Sequence, residues 1–238
     1  MSTPPATAHL DPASRSAYVV NPGVTYAVVM AVFCGLLLIS NVAATKTITV
    51  IDDLPIIQGI FTDGGALLFP LTYVLGDVLA EVYGMAHARR AIIVGFFMAG
   101  LAAVTFLAVG AAPPGPGYPN QEAFQAVLGF VPRIVVASLI GYLAGQFLNA
   151  YVLVRLKDRA RPGKLWHRLV GSTVVGEFAD TVLFCFIAFA GLFPSWGELI
   201  SFTITGYLYK VAIEVLFLPV TYAVIRSIKR REGYPADA

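Results

Sequence analysis

Six apolar stretches, parted by short polar or proline-rich segments, divide the chain: Tyr26–Ala44, Gly65–Tyr83, Ala91–Ala112, Val131–Val154, Leu169–Phe193 and Leu199–Ile225. Crossing ~30 Å of hydrocarbon takes roughly 20 apolar residues in a helix. Each stretch therefore predicts one transmembrane helix, and residues 23–228 form the expected membrane domain, all-α with six spans. Residues 1–22 are polar and include Pro4, Pro5, Pro12 and Pro22. They lack a basic segment followed by an apolar one, so they read as a disordered cytoplasmic tail rather than a signal peptide. Residues 229–238 read as a second cytoplasmic tail.

The segments between the spans carry their own signals. Residues 46–63 alternate weakly, hold Asp52, Asp53 and Asp63, and suggest a short hairpin. The run PPGPGYP at 113–119 cannot hold a helix. After it, Asn120–Phe130 reads as a short interfacial helix, and Pro132 suits the first turn of span four. Trp166 beside Arg168 reads as an interface anchor.

Basic residues give the orientation. Thirteen of the 16 Lys and Arg fall on the side shared by the termini and the loops near 84–90 and 155–168. Lys46, Arg133 and Lys210 lie elsewhere. By the positive-inside rule both termini are expected in the cytoplasm. A weak internal repeat accompanies this topology. Gly76-Asp77 to Glu81 in span two echoes Gly176-Glu177 to Asp180 in span five, and Asn41 and Asn149 sit alike in spans one and four. Halves of three spans each must be inverted, a common plan of secondary transporters with the site near mid-membrane.

Composition narrows the class. The chain is 58% hydrophobic and 13% charged, against about a quarter charged in an average soluble domain. A water-soluble globule of this size could not hide so much apolar surface. Net charge is only +2, with the basic residues dispersed, so a nucleic-acid partner is not expected. His9, His87 and His167 lie outside the spans, and Cys34 and Cys185 lie inside apolar runs. No metal, disulfide or cofactor is expected from them. Neither a Walker A sequence nor a G-x-S-x-G elbow occurs.

Charge inside hydrocarbon is expensive and usually marks a polar pathway. Asp77, Glu81, Glu177, Asp180, Lys210 and Glu214 lie inside predicted spans, with Arg133 near an outer end. Asp77 and Glu81, and Lys210 and Glu214, are four apart; Glu177 and Asp180 are three apart. Ser138, Tyr142 and Gln146 form a further stripe. Four helices thus present polar stripes, the pattern of a bundle enclosing a polar centre. Blander readings stand beside this one. Lys210 and Glu214 could form an internal ion pair that only lowers insertion cost, and Glu81 and Glu177 lie near cytoplasmic ends. Gly141-xxx-Gly145 permits close helix packing.

These residues resemble the queuosine-precursor transporter family, also called the vitamin-uptake-transporter-like family of bacterial inner-membrane proteins. The resemblance runs from about residue 36 to 226. It rests on Asn41 with Lys46; Phe69-Pro70 through Asp77, Glu81 and Tyr83-Gly84 to Arg89-Arg90; Arg133 with Ala137-Ser138 and Gly145-Gln146; Ser172-Thr173, Asp180-Thr181 and Phe184 to Phe189; and Lys210 with Pro219. Glu177 departs from it, since relatives commonly carry an uncharged polar residue there. The resemblance implies import of a 7-deazaguanine, chiefly 7-cyano-7-deazaguanine or its aminomethyl relative, for queuosine synthesis.

The expected substrate contacts are then Asp180 and Asp77, supported by Lys210, Asn41, Gln146, Ser138, Arg133 and Thr181. Phe69, Tyr73 and Phe184 are the stacking candidates. Asp180 is expected to accept the base's N1–H and exocyclic amino group. Glu177, Glu81 and Glu214 are candidates for proton coupling. The expected partners are a small nucleobase and the lipid bilayer, with a homodimer compatible. A substrate-binding subunit of an energy-coupling-factor importer is the alternative. An intramembrane aspartyl protease using Asp77 and Asp180 fits poorly, because Val74-Leu75-Gly76-Asp77 breaks the Gly-x-Gly-Asp feature.

Overall fold

A computed structural model describes residues 23–51, 60–159 and 165–232. Both expected tails, Asp52 and Asp53, and the middle of the 155–168 loop lie outside these residues. The elements are α1 (Val24–Ala43), β1 (Thr47–Ile51), β2 (Ile60–Asp63), a 3-10 turn (Gly64–Leu67), α2 (Phe69–Ala111), α3 (Gln121–Leu128), α4 (Val131–Arg159), α5 (Leu165–Phe189) and α6 (Trp196–Arg231). Among the described residues, four helical segments are long and apolar enough to cross a membrane: 24–43, 70–111, 121–149 and 196–231. Large apolar side chains such as Phe97, Phe147 and Leu216 face outward, each about two thirds exposed or more. In water such a surface would be strongly unfavourable; it suits a lipid environment.

Two expected spans, 65–83 and 91–112, are joined in one helical element. The intervening residues 85–90, expected as a loop, are helical, because Met, Ala and Arg are good helix formers. Gly84 alone breaks the helix, at φ 80° and ψ 164°, a backbone conformation open essentially only to glycine. The register of contacts with α1 shows what this break does. Ser40 meets Gly65 and Tyr26 meets Tyr83, so the arm 69–83 runs antiparallel to α1. Tyr26 meets His87, Cys34 meets Ala91, and Leu37 meets Gly95, so the arm 85–111 runs parallel to it. The chain therefore reverses at Gly84.

The remaining helices continue the alternation. Phe96 meets Tyr142, and Ala103 packs with Val131 and Val135, placing α4 antiparallel to the second arm of α2. Arg133 meets Ala190 and Gly145 meets Gly176, so α5 returns antiparallel to α4. Tyr209 meets Ala66 and Tyr83 meets Glu232, so α6 runs parallel to the first arm of α2. The start of α1, Gly84 and the end of α6 consequently lie at one end of the bundle. The expected close packing at Gly141 and Gly145 occurs between α4 and α5. A Cβ at Gly141 would lie 2.8 Å from the Asp180 carbonyl, and one at Gly145 would lie 2.8 Å from that of Gly176.

The hairpin anticipated over 46–63 is present. It pairs Thr47 with Asp63, Ile48 with Thr62 and Thr49 with Phe61, and slips register before Ile51 and Ile60. Among the described residues the fold is thus helical except for one two-stranded ribbon. The ribbon is not a free outer loop. Phe61 packs on a core of Ala44, Ile134, Phe184, Phe189, Leu199 and Phe202, drawn from the ends of four helical segments. Asn120–Phe130 contains α3 as expected, and Pro132 sits in the first turn of α4.

Candidate functional site

Lys210 is the centre of the buried polar residues. It is 5% exposed, in the middle of an apolar helix, where an uncompensated ammonium is not tolerated. Its Nζ lies 3.1 Å from Asp180 Oδ2 and 3.4 Å from Glu177 Oε1. Both acids come from one face of α5, three residues apart, so a single ammonium bridges them. Its cationic head also stands 5.9 Å from the centre of the Phe184 ring, one turn beyond Asp180, within cation–π range. The anticipated Lys210–Glu214 ion pair is not what forms. Residues four apart on α6 point along the helix, whereas the acids of α5 face Lys210 across the interface. Glu214 instead lies within electrostatic reach of Glu177 and Asp77.

Close approach of α4 and α5 through glycines sets the other wall. Ser138 on α4 donates to Asn41 Oδ1 on α1 at 3.3 Å, while Asn41 Nδ2 has no hydrogen-bond partner. Thr181, 1% exposed, likewise leaves its Oγ1 unpartnered. Buried polar atoms of this kind are rare in folded proteins and commonly mark places that water or a ligand fills.

The other expected contacts are spread more widely. Arg133 donates from Nε to the Ile187 carbonyl at 2.7 Å and from Nη2 to that of Ala190 at 2.6 Å. It thereby caps the carbonyl-rich end of α5 and fixes α4 against it. Gln146 and Asp77 are exposed on their helices. Glu81 is ion-paired with Lys229 at 3.0 Å, at the end of the bundle that holds the start of α1 and the end of α6. The side chains of Phe69 and Tyr73 lie outside the described residues. Asn149 packs on Gly176, apart from Lys210, with its Oδ1 unpartnered. Two hollows of about 200 and 230 Å³ are lined by residues between 106 and 129, largely apolar but including Gln121 in one and Gln125 in the other. Neither touches the Lys210 cluster.

Sequence reasoning missed one residue. Asp63 was assigned to an outward loop, yet it is 6% exposed and within electrostatic reach of Lys210. The weak alternation of 46–63 gave the hairpin but not its insertion among the helices. A lone aspartate after Ile60-Phe61-Thr62 was the available signal. The assembled chemistry is one buried cation, several carboxylates, neutral hydrogen-bonding groups and an aromatic face. Such a site can bind a flat, polar, uncharged heterocycle, offering acceptors to its N–H edge and donors to its carbonyl.

A family model described as "Putative vitamin uptake transporter" matches residues 63–224. The chain is 34% identical over 172 residues to a "Probable queuosine precursor transporter" of Bacillus subtilis, covering 71% of this chain and 73% of the relative. It is 30% identical to the "Queuosine precursor transporter" of Escherichia coli over 182 residues, 74% and 78% of the two chains. A Haemophilus influenzae relative is 28% identical over 71% of this chain and 70% of its own. No solved structure matches the chain. The family match spans Glu177, Asp180 and Lys210, and together these matches place the polypeptide among membrane transporters rather than enzymes: it belongs to the putative vitamin uptake transporter family, and relatives it resembles are named queuosine precursor transporters.

Proposed function

We propose that the chain imports a queuosine precursor, 7-cyano-7-deazaguanine or a related 7-deazaguanine, across the bacterial inner membrane as a secondary transporter or facilitator. The observation that carries this reading is the buried cluster of Lys210, Asp180 and Glu177 in the middle of apolar helices. A purely structural helix contact would be met more cheaply by apolar side chains. The substrate names of the relatives supply the deazaguanine. In this reading Lys210 donates to the base's carbonyl, Asp180 holds Lys210 and borders the base, and Phe184 offers a flat face. The two arms of α2 count as separate crossings, giving six spans, with the termini and Gly84 on the cytoplasmic side and the halves inverted.

Proton coupling follows from the carboxylate surplus. Glu177 and Glu214, with Asp77 beside them, outnumber Lys210, and an imposed proton gradient is expected to drive accumulation of the base. Glu81 is held by Lys229, which fits a closing contact at the cytoplasmic end. The test is equilibrium binding of the cyano base to the purified chain. Lys210→Met and Asp180→Asn should each weaken it at least about tenfold, equivalent to 1.4 kcal/mol. Undiminished binding by both variants would remove the cluster from the site.

A further inference from the structure

We propose that Asp63, carried into the bundle by the β-hairpin, contacts the transported base directly and accepts its paired N–H donors. This rests on the transport reading above and assigns a residue within that site.

Burial is the first argument. Asp63 is 6% exposed, yet its Oδ1 has no hydrogen-bond partner. It stands at the N-cap position of the 3-10 turn, where an aspartate ordinarily accepts from the backbone. Here no side-chain cap bond forms, although the amides of Gly65 and Ala66 lie near the carboxyl. The carboxyl is thus held against the amides of the turn, while Oδ1 keeps no full hydrogen-bond partner among the described residues.

Surroundings are the second. A run of contacts and chain neighbours leads from Asp63 towards the Lys210 cluster. Gly65 lies against Asp63 and Ser40; a Cβ there would be 2.8 Å from Asp63 Oδ1 and 2.9 Å from Ser40 Oγ. Next to Ser40, Asn41 meets Ser138. One turn on, Gly141 lies against Asp180, Asp180 pairs with Lys210, and Lys210 acts electrostatically on Asp63. Asn41 Nδ2, beside Ser40, and Thr181 Oγ1, next to Asp180 on α5, likewise have no hydrogen-bond partner among the described residues. One acceptor, one donor and one hydroxyl without hydrogen-bond partners among the described residues are thus carried by the elements that pack around Lys210. That set complements a heterocycle bearing adjacent N–H donors and a carbonyl.

Competition with Asp180 is the third. Asp180 Oδ2 is taken by Lys210, and its Oδ1 sits against Gly141. The N–H edge assigned to Asp180 from sequence is better matched by the unengaged oxygen of Asp63.

The experiment is equilibrium binding of 7-cyano-7-deazaguanine, and of the analogue lacking its exocyclic amino group, to full-length wild type and Asp63→Asn. Wild type should prefer the intact base by at least about tenfold, since an unpaired buried carboxylate penalises the analogue. Asp63→Asn should bring the preference close to one. A variant that keeps the wild-type preference, even with both affinities lowered, would overturn the proposal and leave Asp63 a structural residue. Should Asp63→Asn fail to insert, Asp63→Glu is read in its place: it keeps the charge but displaces the oxygens, so an altered preference supports the proposal and an unchanged one overturns it. Wild type that binds neither compound would refute the transport reading, and this assignment with it.

Discussion

At the scale of single residues, Lys210 and Asp63 are read out by different measurements. Removing the ammonium takes a counter-charge from the half-buried Asp180 and Glu177, and breaking a fully buried pair from one side costs about 3–5 kcal/mol, an upper bound here. Lys210→Met is therefore expected to lower thermal stability as well as abolish binding, whereas Lys210→Met with Asp180→Asn should recover stability and not binding. Thermal unfolding of the two purified variants checks this. Asp63 governs pH dependence. Burial raises its pKa above the ordinary carboxylate value, and Lys210 opposes the shift. If the ionised form accepts the base's donors, protons compete with substrate. Affinity should then hold at high pH and fall as pH drops through the raised pKa. Lys210, Asp180 and Glu177 face the same centre, so the diagnostic feature is the difference: Asp63→Asn should flatten that acidic limb. An identical limb in the variant would assign it to the α5 acids.

Elements explain what the sequence made legible. Six apolar runs with polar interruptions were readable because a membrane helix has one demanding requirement, continuous hydrophobicity. The stripes on α5 and α6 were readable because ionisable residues in such runs are rare. Two features were not. Whether Gly84 kinks a helix or reverses the chain depends on which partners each arm meets, and only α1, packed against both arms, settles it. The hairpin's insertion was hidden for a related reason: its few apolar side chains resemble those of any exposed ribbon, and Phe61 is buried only by distant helix ends. Arg133 near a span's end reads as a site residue in the sequence, and its second engagement, with the carbonyls of Ile187 and Ala190 at the end of α5, shows only once the helices are packed. Gly84→Ala should destabilise the fold by about 1–3 kcal/mol, the cost of forcing a side chain into that backbone region. Gly145→Leu should wedge α4 from α5 and abolish binding with the polar residues intact. Thermal melts and substrate binding on the same preparations would separate the two effects.

For the whole molecule, alternating helix directions and the meeting of Tyr26, Tyr83 and Glu232 put both ends of the described chain on one face of the bundle. With the Lys and Arg excess on that face, impermeant thiol reagents should label cysteines placed at Pro116 from outside intact cells and spare cysteines placed at Arg230. The reverse pattern would invert the proposed orientation without disturbing the fold. Transport itself is tested most directly in liposomes containing only this chain. Saturable uptake of 7-cyano-7-deazaguanine, lost in Lys210→Met and needing no added ATPase subunit, is the expected result. Uptake no greater than in protein-free liposomes, or appearing only when ATP and a coupling ATPase are supplied, would contradict a self-sufficient transporter built around Lys210.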